Sequence, residues 1–439
     1  MEEQAIEQQG QDKKKKKKGP KFKYYVGIVM RAYPSYHQMK IIKHCSDASR
    51  FIYNTLVALS KRNYEINKLL SDDSDAELTD KEIDLLRIEV ESNYQKIGNP
   101  TFIKKATKWL REDKNVDSLA LYAARDDYRA AWNMFRLVHS AGTPKFHKKN
   151  HAWRYRTYFV NGNLYFVDNK HVKVPKLGII RVKNARKDIL GHDDIGIVSA
   201  TMKKDSSGYF TISLMVGSNT PFGKELEPNN NAVGVDLNLK NFITTSNGDV
   251  VDNPRFYRKS LDKMRRQQRA LSHRLTRAEA EHRNPRKAKN LNKARRAYAK
   301  TCAKVRNQRK NFLDNLSTDL IKNHDFIALE NLKGKNMLKN YALAMSVSDA
   351  GWRTFITMLQ NKGKLYDRKV VLVNPRLTTQ TCSSCGYVLP KENRLTLRDR
   401  EWTCPECHHF HKRDVNASKN ILAKAIKKST TVKKTKQSK

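Results

Sequence analysis

Four of the six cysteines in this 439-residue chain stand in two Cys-x-x-Cys pairs. Cys382 and Cys385 form the first pair, Cys404 and Cys407 form the second, and 18 residues separate the pairs. Each pair can place two sulfurs on one side of a tight turn, and two such turns can close a tetrahedron of thiolates. The spacing predicts a zinc ribbon that binds one structural Zn²⁺, a module that does not by itself name a function.

The remaining thiols and the histidines near the pairs have other predicted roles. Because four thiolates are already available, we expect His408, His409 and His411 to lie at the surface or to contact phosphate. Cys45 lies on an apolar helical face and is predicted to be a core residue, whereas Cys302 is predicted to be unliganded. So few cysteines, arranged in this way, favour a reducing intracellular compartment over a disulfide scaffold.

Three carboxylates occupy positions that could serve metal chemistry. Asp236 and Glu330 each end a short apolar segment with strand character, and Asp414 begins a helical segment just after the cysteines. If they converge, they could hold two Mg²⁺ ions for phosphodiester hydrolysis. A chain with 44 acidic residues will also produce such placements by chance, so position alone gives only a hypothesis.

The charge balance indicates a polyanionic partner. The chain has 87 Lys and Arg against 44 Asp and Glu, a formal net charge of +43. Nucleic acid is the first candidate and an anionic membrane surface the second. No apolar run approaches the ~18–20 residues of a membrane-spanning helix, and no amphipathic or lipidation signal supports membrane binding, so we expect no membrane partner.

The basic residues concentrate in one segment. Residues 255–310 contain 21 Lys and Arg and only 3 Asp and Glu, with a break at Pro285. A pair of solvated helices would need acidic partners at i, i+4 spacing, and these are nearly absent. The segment therefore predicts two long helices, within 255–312, that bind a nucleic-acid backbone.

Other elements follow from hydrophobic periodicity and from turn residues. A strand is predicted at 22–33, helices at about 36–140, and several short strands over 145–222 that suggest a small barrel or sandwich. The early strand could complete that later sheet. Residues 1–20 and 429–439 are predicted to be disordered basic tails, and 71–80 an acidic loop.

Several motifs together resemble TnpB proteins, which are transposon-encoded relatives of miniature type V CRISPR effectors with an RuvC (RNase H-like) nuclease domain. The matching motifs are GVD at 234–236, NPR at 253–255, LENL at 329–332, SDAGW at 348–352, NP at 374–375, TCSSCG at 381–386, HKRDVNASKNI at 411–421 and SRFIYN at 49–54. Asn238 stands where the first motif often has glycine, a difference that removes no metal ligand.

The resemblance implies an α+β multidomain architecture. It implies a β-barrel wedge domain at 21–35 and 145–229, a helical recognition insertion at 36–144, and a RuvC-like nuclease domain at 230–375 and 412–428. The zinc ribbon at 376–411 would be inserted in that nuclease domain. Asp236, Glu330 and Asp414 carry over as the catalytic Mg²⁺-binding triad.

The function implied by the resemblance is RNA-guided DNA cleavage. A guide RNA would pair with one strand of double-stranded target DNA, next to a short motif that the protein reads. The protein would act as a monomer or homodimer on the RNA, in the cytoplasm close to the nucleoid of a prokaryote, or in the nucleus of a eukaryote. Two alternatives remain open, a nuclease-inactive RNA-guided DNA-binding regulator and a guide-independent RNase H-like nuclease.

Overall fold

The computed structural model describes residues 21–71, 78–149, 152–183, 187–192, 194–223, 225–285, 287–332, 341–396 and 398–437. The predicted N-terminal tail and most of the acidic loop lie outside these ranges. The chain divides into two compact units, Met1–Phe222 and Gly223–Lys439. Among the described residues, none of the helices combines the length and the apolar character needed to cross a bilayer.

Seven antiparallel strands form the sheet of the first unit, in the order β2-β6-β7-β1-β5-β4-β3. Strand β1 pairs with β7 from Tyr24 opposite Ser218 to Ala32 opposite Phe210, which confirms that the early strand completes the later sheet. The strands are β1 Tyr24–Tyr33, β2 Trp153–Tyr158, β3 Tyr165–Asp168, β4 His171–Val174, β5 Gly178–Lys183, β6 Gly196–Lys204 and β7 Phe210–Ser218.

The hydrogen-bonded ladder of this sheet is open, with β2 and β3 at its edges. The sequence suggested a small barrel or sandwich, and the resemblance implied a β-barrel; the strand pairs of the described residues include none between β2 and β3 that would close a barrel. Strand β2 packs instead against two helices of the same unit, which cover that edge.

Helices of the first unit are inserted between β1 and β2, apart from one short helix before β6. They are α1 Tyr36–Leu69, α2 Asp80–Gly98, α3 Pro100–Ala106, α4 Lys108–Glu112, α5 Ser118–Leu137 and α6 Lys187–Leu190. Ser35 and Thr79 each form a capping box at the start of α1 and α2. Apolar residues at three- and four-residue spacing, such as Ile52 and Leu56 of α1, are buried against Leu121 of α5. Cys45 is fully buried, as predicted.

A mixed five-stranded sheet forms the second unit, in the order β10-β9-β8-β11-β12. The strands are β8 Ala232–Leu237, β9 Asn241–Thr245, β10 Val250–Asp252, β11 Phe326–Glu330 and β12 Lys369–Val373. Strands β8, β11 and β12 run parallel, whereas β9 and β10 are antiparallel to their neighbours. Parallel strands buried on both faces read as continuous apolar runs, which explains the sequence of β11.

Two long helices follow β10, α7 Phe256–Ala280 and α8 Lys289–Asn323. Helix α8 continues past the predicted end at residue 312. Its last turns carry Leu313, Leu320 and Ile321 at helical spacing, and these side chains are buried against the sheet. Helix α8 is therefore basic along its first part and a core helix at its end.

Three further helices complete the second unit, α9 Tyr341–Ala350, α10 Trp352–Leu365 and α11 Arg413–Gln437. Between α10 and α11 lie β12, a 3-10 turn Lys391–Asn393, and the two-stranded sheet of β13 Glu401–Thr403 and β14 Phe410–Lys412. The tail predicted to be disordered from residue 429 is helical to Gln437 instead. Its lysines favour helix, and neither proline nor glycine interrupts the segment.

Candidate functional site

Asp236 and Glu330 lie side by side at the ends of two parallel strands. Val235 of β8 pairs with Leu329 of β11, so the next step of the register brings Asp236 beside Glu330. Residues paired in parallel strands point to the same face of the sheet. Both side chains are buried, with exposures of 8% for Asp236 and 7% for Glu330.

Asp414 reaches the same face because α11 packs directly on β8. A Cβ atom at Gly234 would lie only 1.9 Å from the carbonyl oxygen of Ser418, so this approach requires glycine. Asp414 lies one helical turn before Ser418, and Gly234 lies two residues before Asp236. The glycine of the GVD motif thus allows α11 to bring the third carboxylate close to the first.

Electrostatics shows that the three acids influence one another. Burial first, and then the negative charges of Glu330 and Asp414, raise the pKa of Asp236 to about 8, against opposing effects from Arg413 and Asn238. Burial also raises the pKa of Glu330, while Thr378 and Lys424 oppose that rise. A bound cation would favour the ionised carboxylates and remove this strain, so the donor set fits a hard divalent ion.

Glu330 and Asp414 also contact other side chains of the protein. The Thr378 hydroxyl donates to Oε1 of Glu330 at 2.5 Å. Nη1 of Arg400 lies 3.4 Å from Oδ2 of Asp414, and Nε of Arg413 lies 3.5 Å from its Oδ1. Of the described residues, the four cysteines are the only group of three or more His, Cys, Asp or Glu side chains whose ligand atoms all lie within 4.8 Å of one another, so the three carboxylates do not form a closed coordination shell.

The four cysteines, by contrast, form a compact cluster. Sγ of Cys382 lies 3.7 Å from Sγ of Cys407, and Sγ of Cys385 lies 3.7 Å from Sγ of Cys404. Thiolates ~2.3 Å from a tetrahedral zinc are separated by about 3.8 Å. The cluster therefore fits a structural zinc site of the kind that the sequence predicted.

His411 contacts this cluster. The sequence predicted a surface position for it, but the side chain is buried. It is 5% exposed, its Nε2 lies 3.0 Å from Sγ of Cys382, and its ring lies against Trp402. Burial alone would raise the pKa of Cys382, but backbone hydrogen bonds from Cys385 and Ser384, with His411 adding to them, lower it to about 5. The protein environment thus favours the thiolate form of Cys382 even without a bound metal.

The ribbon is fastened to α11 by two buried asparagines that the sequence reasoning did not single out. Nδ2 of Asn416 donates to the carbonyl of Thr381 at 2.8 Å, and its Oδ1 accepts from the backbone of Ser383 at 2.8 Å. Nδ2 of Asn420 donates to the carbonyls of Thr378 and Thr381. The available signal was two polar residues at i, i+4 spacing on an otherwise apolar helix face.

Asp349 links the two basic helices. The sequence reasoning did not predict this role either. Its carboxylate accepts from the backbone of Tyr257 at 3.1 Å, in the first turn of α7. It also pairs with Nη2 of Arg309 of α8 at 2.9 Å. Asp349 therefore caps one basic helix and holds the other, which keeps both in fixed positions.

Three family models match the chain. "Cas12f1-like, TNB domain" matches residues 352–421, "Probable transposase" matches 211–341, and "Helix-turn-helix domain" matches 27–68. Together they span more than half of the 439 residues. Residues 27–68 form most of strand β1 and one continuous helix here, rather than two helices joined by a turn.

Similar proteins carry names of the same kind. A Streptomyces pristinaespiralis protein provisionally named an RNA-guided DNA endonuclease is 34% identical over 52% of this chain and 53% of its own length. InsQ of Escherichia coli K12, provisionally named in the same way, is 29% identical over 72% of this chain and 76% of its own. A mimivirus protein named TnpB-like protein L79 is 30% identical over 33% of this chain and 27% of its own.

The chain thus matches about half the length of its Streptomyces relative. A solved Cas12f1–sgRNA–target DNA complex aligns with 91% of this chain and 98% of that protein, at 15% identity and a TM-score of 0.47. The matched models and the names of these relatives agree with the motifs in the sequence and confirm the resemblance of the chain to TnpB proteins.

Proposed function

We propose that this chain is an RNA-guided DNA endonuclease that hydrolyses target DNA at Asp236, Glu330 and Asp414 with Mg²⁺. The observation that carries the proposal is the convergence of the three acids, expressed in the raised pKa of Asp236. Buried acids that raise one another's pKa are uncommon unless a cation or a proton compensates them, and they are typical of functional sites. The mixed sheet with acids at adjacent strand ends supports the RNase H-like (RuvC) assignment.

The protein's part in the reaction is to hold three carboxylates close together so that they can bind the cations. Two bound Mg²⁺ ions would supply Lewis acidity at the scissile phosphate. Asp236, Glu330 and Asp414 would hold the ions, and Asp236 would release its proton on metal binding because the charge of the cations lowers its pKa. Thr378 orients Glu330, and α11 carries Asp414. In the hydrolysis, the oxygen of water would form a bond to phosphorus as the bond to the leaving oxygen breaks, and a proton of the water would pass to solvent.

The basic helices α7 and α8 would hold nucleic-acid backbone beside this site. Guide RNA would pair with one strand of double-stranded target DNA beside a short motif, and base pairing would choose the sequence. The names of the relatives support these partners. The sheet of the first unit would serve as the wedge domain and its helices as the recognition domain, and the ribbon would hold one structural Zn²⁺.

The test compares Asp236→Asn with Asp252→Asn. Asp236 is buried and its pKa is raised by two neighbouring acids, whereas Asp252 is exposed on β10 of the same sheet. Ribonucleoprotein of Asp236→Asn should cut target DNA at least about a hundredfold more slowly, because one of the three carboxylates that would hold the ions is removed. Binding to target DNA should persist, and Asp252→Asn should cut at the rate of the unmodified protein.

Cutting by Asp236→Asn at that rate would overturn the catalytic assignment. The same preparations separate the alternatives. An unmodified ribonucleoprotein that binds its target but does not cut it with Mg²⁺ is a regulator. Cutting that continues after the co-purified RNA has been removed identifies a guide-independent nuclease.

A further inference from the structure

The helical part of the first unit contains a cavity that the proposed reaction does not use. Residues of α1, α2 and α5 line it, and its volume is about 600 Å³. Ligand cavities commonly have volumes of about 300–1,000 Å³. The cavity is therefore large enough for one nucleotide, and its lining residues indicate which class of ligand it fits.

Aromatic side chains from all three helices line the cavity. Tyr64 of α1 and Tyr94 of α2 are 73% and 57% exposed, and Trp132 of α5 contributes a third ring. Solvent-facing rings at a cavity offer flat surfaces on which an unstacked base can lie. Every base has such a face, so this feature predicts an aromatic ligand but not its sequence.

A buried hydrogen-bond donor adds a polar contact. Asn63 lines the cavity and is 3% exposed. Its Oδ1 accepts from Nδ2 of Asn93 at 2.8 Å, which fixes the orientation of the amide. Its own Nδ2 has no hydrogen-bond partner among the described residues. Because leaving a buried donor unpaired is unfavourable, an acceptor on a ligand would relieve that cost.

Two guanidinium groups give the cavity its charge. Arg129 and Arg136 lie two turns apart on α5, and none of the described lining residues is acidic. A purely apolar ligand would gain nothing from these cations, and a lysine- or arginine-rich peptide would be repelled. Phosphate is the anion that guanidinium groups bind with matched geometry.

We propose that this cavity binds one unstacked nucleotide of a nucleic-acid strand. The base lies against Tyr64, Tyr94 and Trp132 and accepts a hydrogen bond from Asn63, and the phosphate contacts Arg129 and Arg136. The nucleotide comes from an RNA or from a single-stranded DNA, which share this chemistry. The site lies wholly in the first unit, so binding to it is independent of the carboxylates and of cleavage.

The experiment measures binding by the full-length protein after its RNA has been removed, in buffer without magnesium. Fluorescent single-stranded RNA and DNA oligonucleotides are compared with abasic strands of equal length, which keep the phosphates and lack the bases. Tyr64→Ala combined with Tyr94→Ala should weaken binding of the base-containing strands by about fivefold or more. Binding of the abasic strands should stay within about twofold, because phosphate contacts are unchanged.

Tyr36→Ala is the matched control, since Tyr36 is also a tyrosine of α1 with 73% exposure but lies outside the cavity. It should leave all affinities unchanged. A loss confined to RNA identifies an RNA nucleotide as the occupant, and a loss confined to DNA identifies a DNA nucleotide. Equal affinities of the double variant and Tyr36→Ala for both base-containing strands would overturn the proposal, whether or not the protein cuts DNA.

Discussion

The two candidate metal sites of the second unit differ in how far the protein has assembled them. The four thiols already stand at the spacing of a tetrahedral site, with 3.7 Å between sulfurs of opposite pairs. The three carboxylates lie on one face of the sheet, yet their oxygens do not form a group of that kind. Thiols can remain neutral at close range, whereas carboxylates repel one another unless protons or cations intervene.

This difference indicates a structural role for the cysteine site and a substrate-binding role for the carboxylate site. A closed set of four ligands fixes structure and leaves no position for a substrate, whereas an open set accepts ions together with a substrate. The closed site also supports the open one. The ribbon supplies Thr378 to Glu330 and Arg400 to Asp414, and Asn416 and Asn420 fasten it to α11.

The largest expected effect comes from breaking the closed site. Cys404→Ser removes a fully buried thiol from the cluster. We expect zinc to fall from about one ion per chain to almost none, and the ribbon to unfold. Cleavage should fall by about a hundredfold or more, because Glu330 and Asp414 lose their supports and a displacement of ~1 Å can cost that much. Metal analysis and cleavage rates measure both effects.

Cys302→Ser is the control, because Cys302 is a half-buried thiol of α8 outside the cluster. It should retain about one zinc ion and a cleavage rate within about twofold of the unmodified protein. If Cys404→Ser keeps its zinc, the cluster is not the zinc site. If it loses zinc but cuts normally, the ribbon does not support the carboxylates.

The second prediction concerns pH and the open site. Burial and the neighbouring negative charges raise the pKa of Asp236 from its ordinary value of 3.8 to about 8 in the folded protein, so the folded state binds more protons than the unfolded state between these values. The contribution of Asp236 to stability should therefore be fully present below pH ~4 and be lost as pH rises through about 8 in magnesium-free buffer, by an amount on the order of a few kcal/mol. Magnesium should restore stability at pH 8.

Thermal unfolding of Asp236→Asn measures this contribution. The melting temperature of the variant should depend less on pH, and magnesium should stabilise it less, because the ionisable group is gone. Asp252→Asn should retain the full dependence. If the melting temperatures of the unmodified protein and of Asp236→Asn depend on pH in the same way, the pKa of Asp236 is not raised by buried negative charges.

Features with a local signature could be predicted from the sequence. Two Cys-x-x-Cys turns determine a thiol cluster almost by themselves, and the register of parallel strands brings Asp236 beside Glu330 once both are seen to end strands. Early strand β1 was expected to join the later sheet, and it pairs there as expected. The metal-binding roles of the three acids remain a prediction.

Features that depend on distant contacts could not be predicted. His411 resembles a surface residue until β14 places it against Trp402 and Cys382. Asp349 lies 92 residues from the helix start that it caps, so no local pattern reveals that bond. The length of α8 was underestimated because the basic composition that defined the predicted pair ends at Lys310, whereas the helix continues through the apolar residues Leu313, Leu320 and Ile321.

The smallest expected effect concerns the contact between the two sites. Arg400, 43% exposed, lies 3.4 Å from Asp414, and exposed ion pairs contribute about 0–1 kcal/mol. Arg400→Ala should lower the magnesium concentration for half-maximal cleavage by about two- to fivefold, because a guanidinium no longer competes with the cation for this carboxylate. Arg398→Ala, which removes an exposed arginine of the same ribbon, should leave that concentration unchanged. A higher magnesium requirement in Arg400→Ala would reverse the interpretation, since Arg400 would then assist cation or phosphate binding, and the closed site would contribute a side chain directly to the open one.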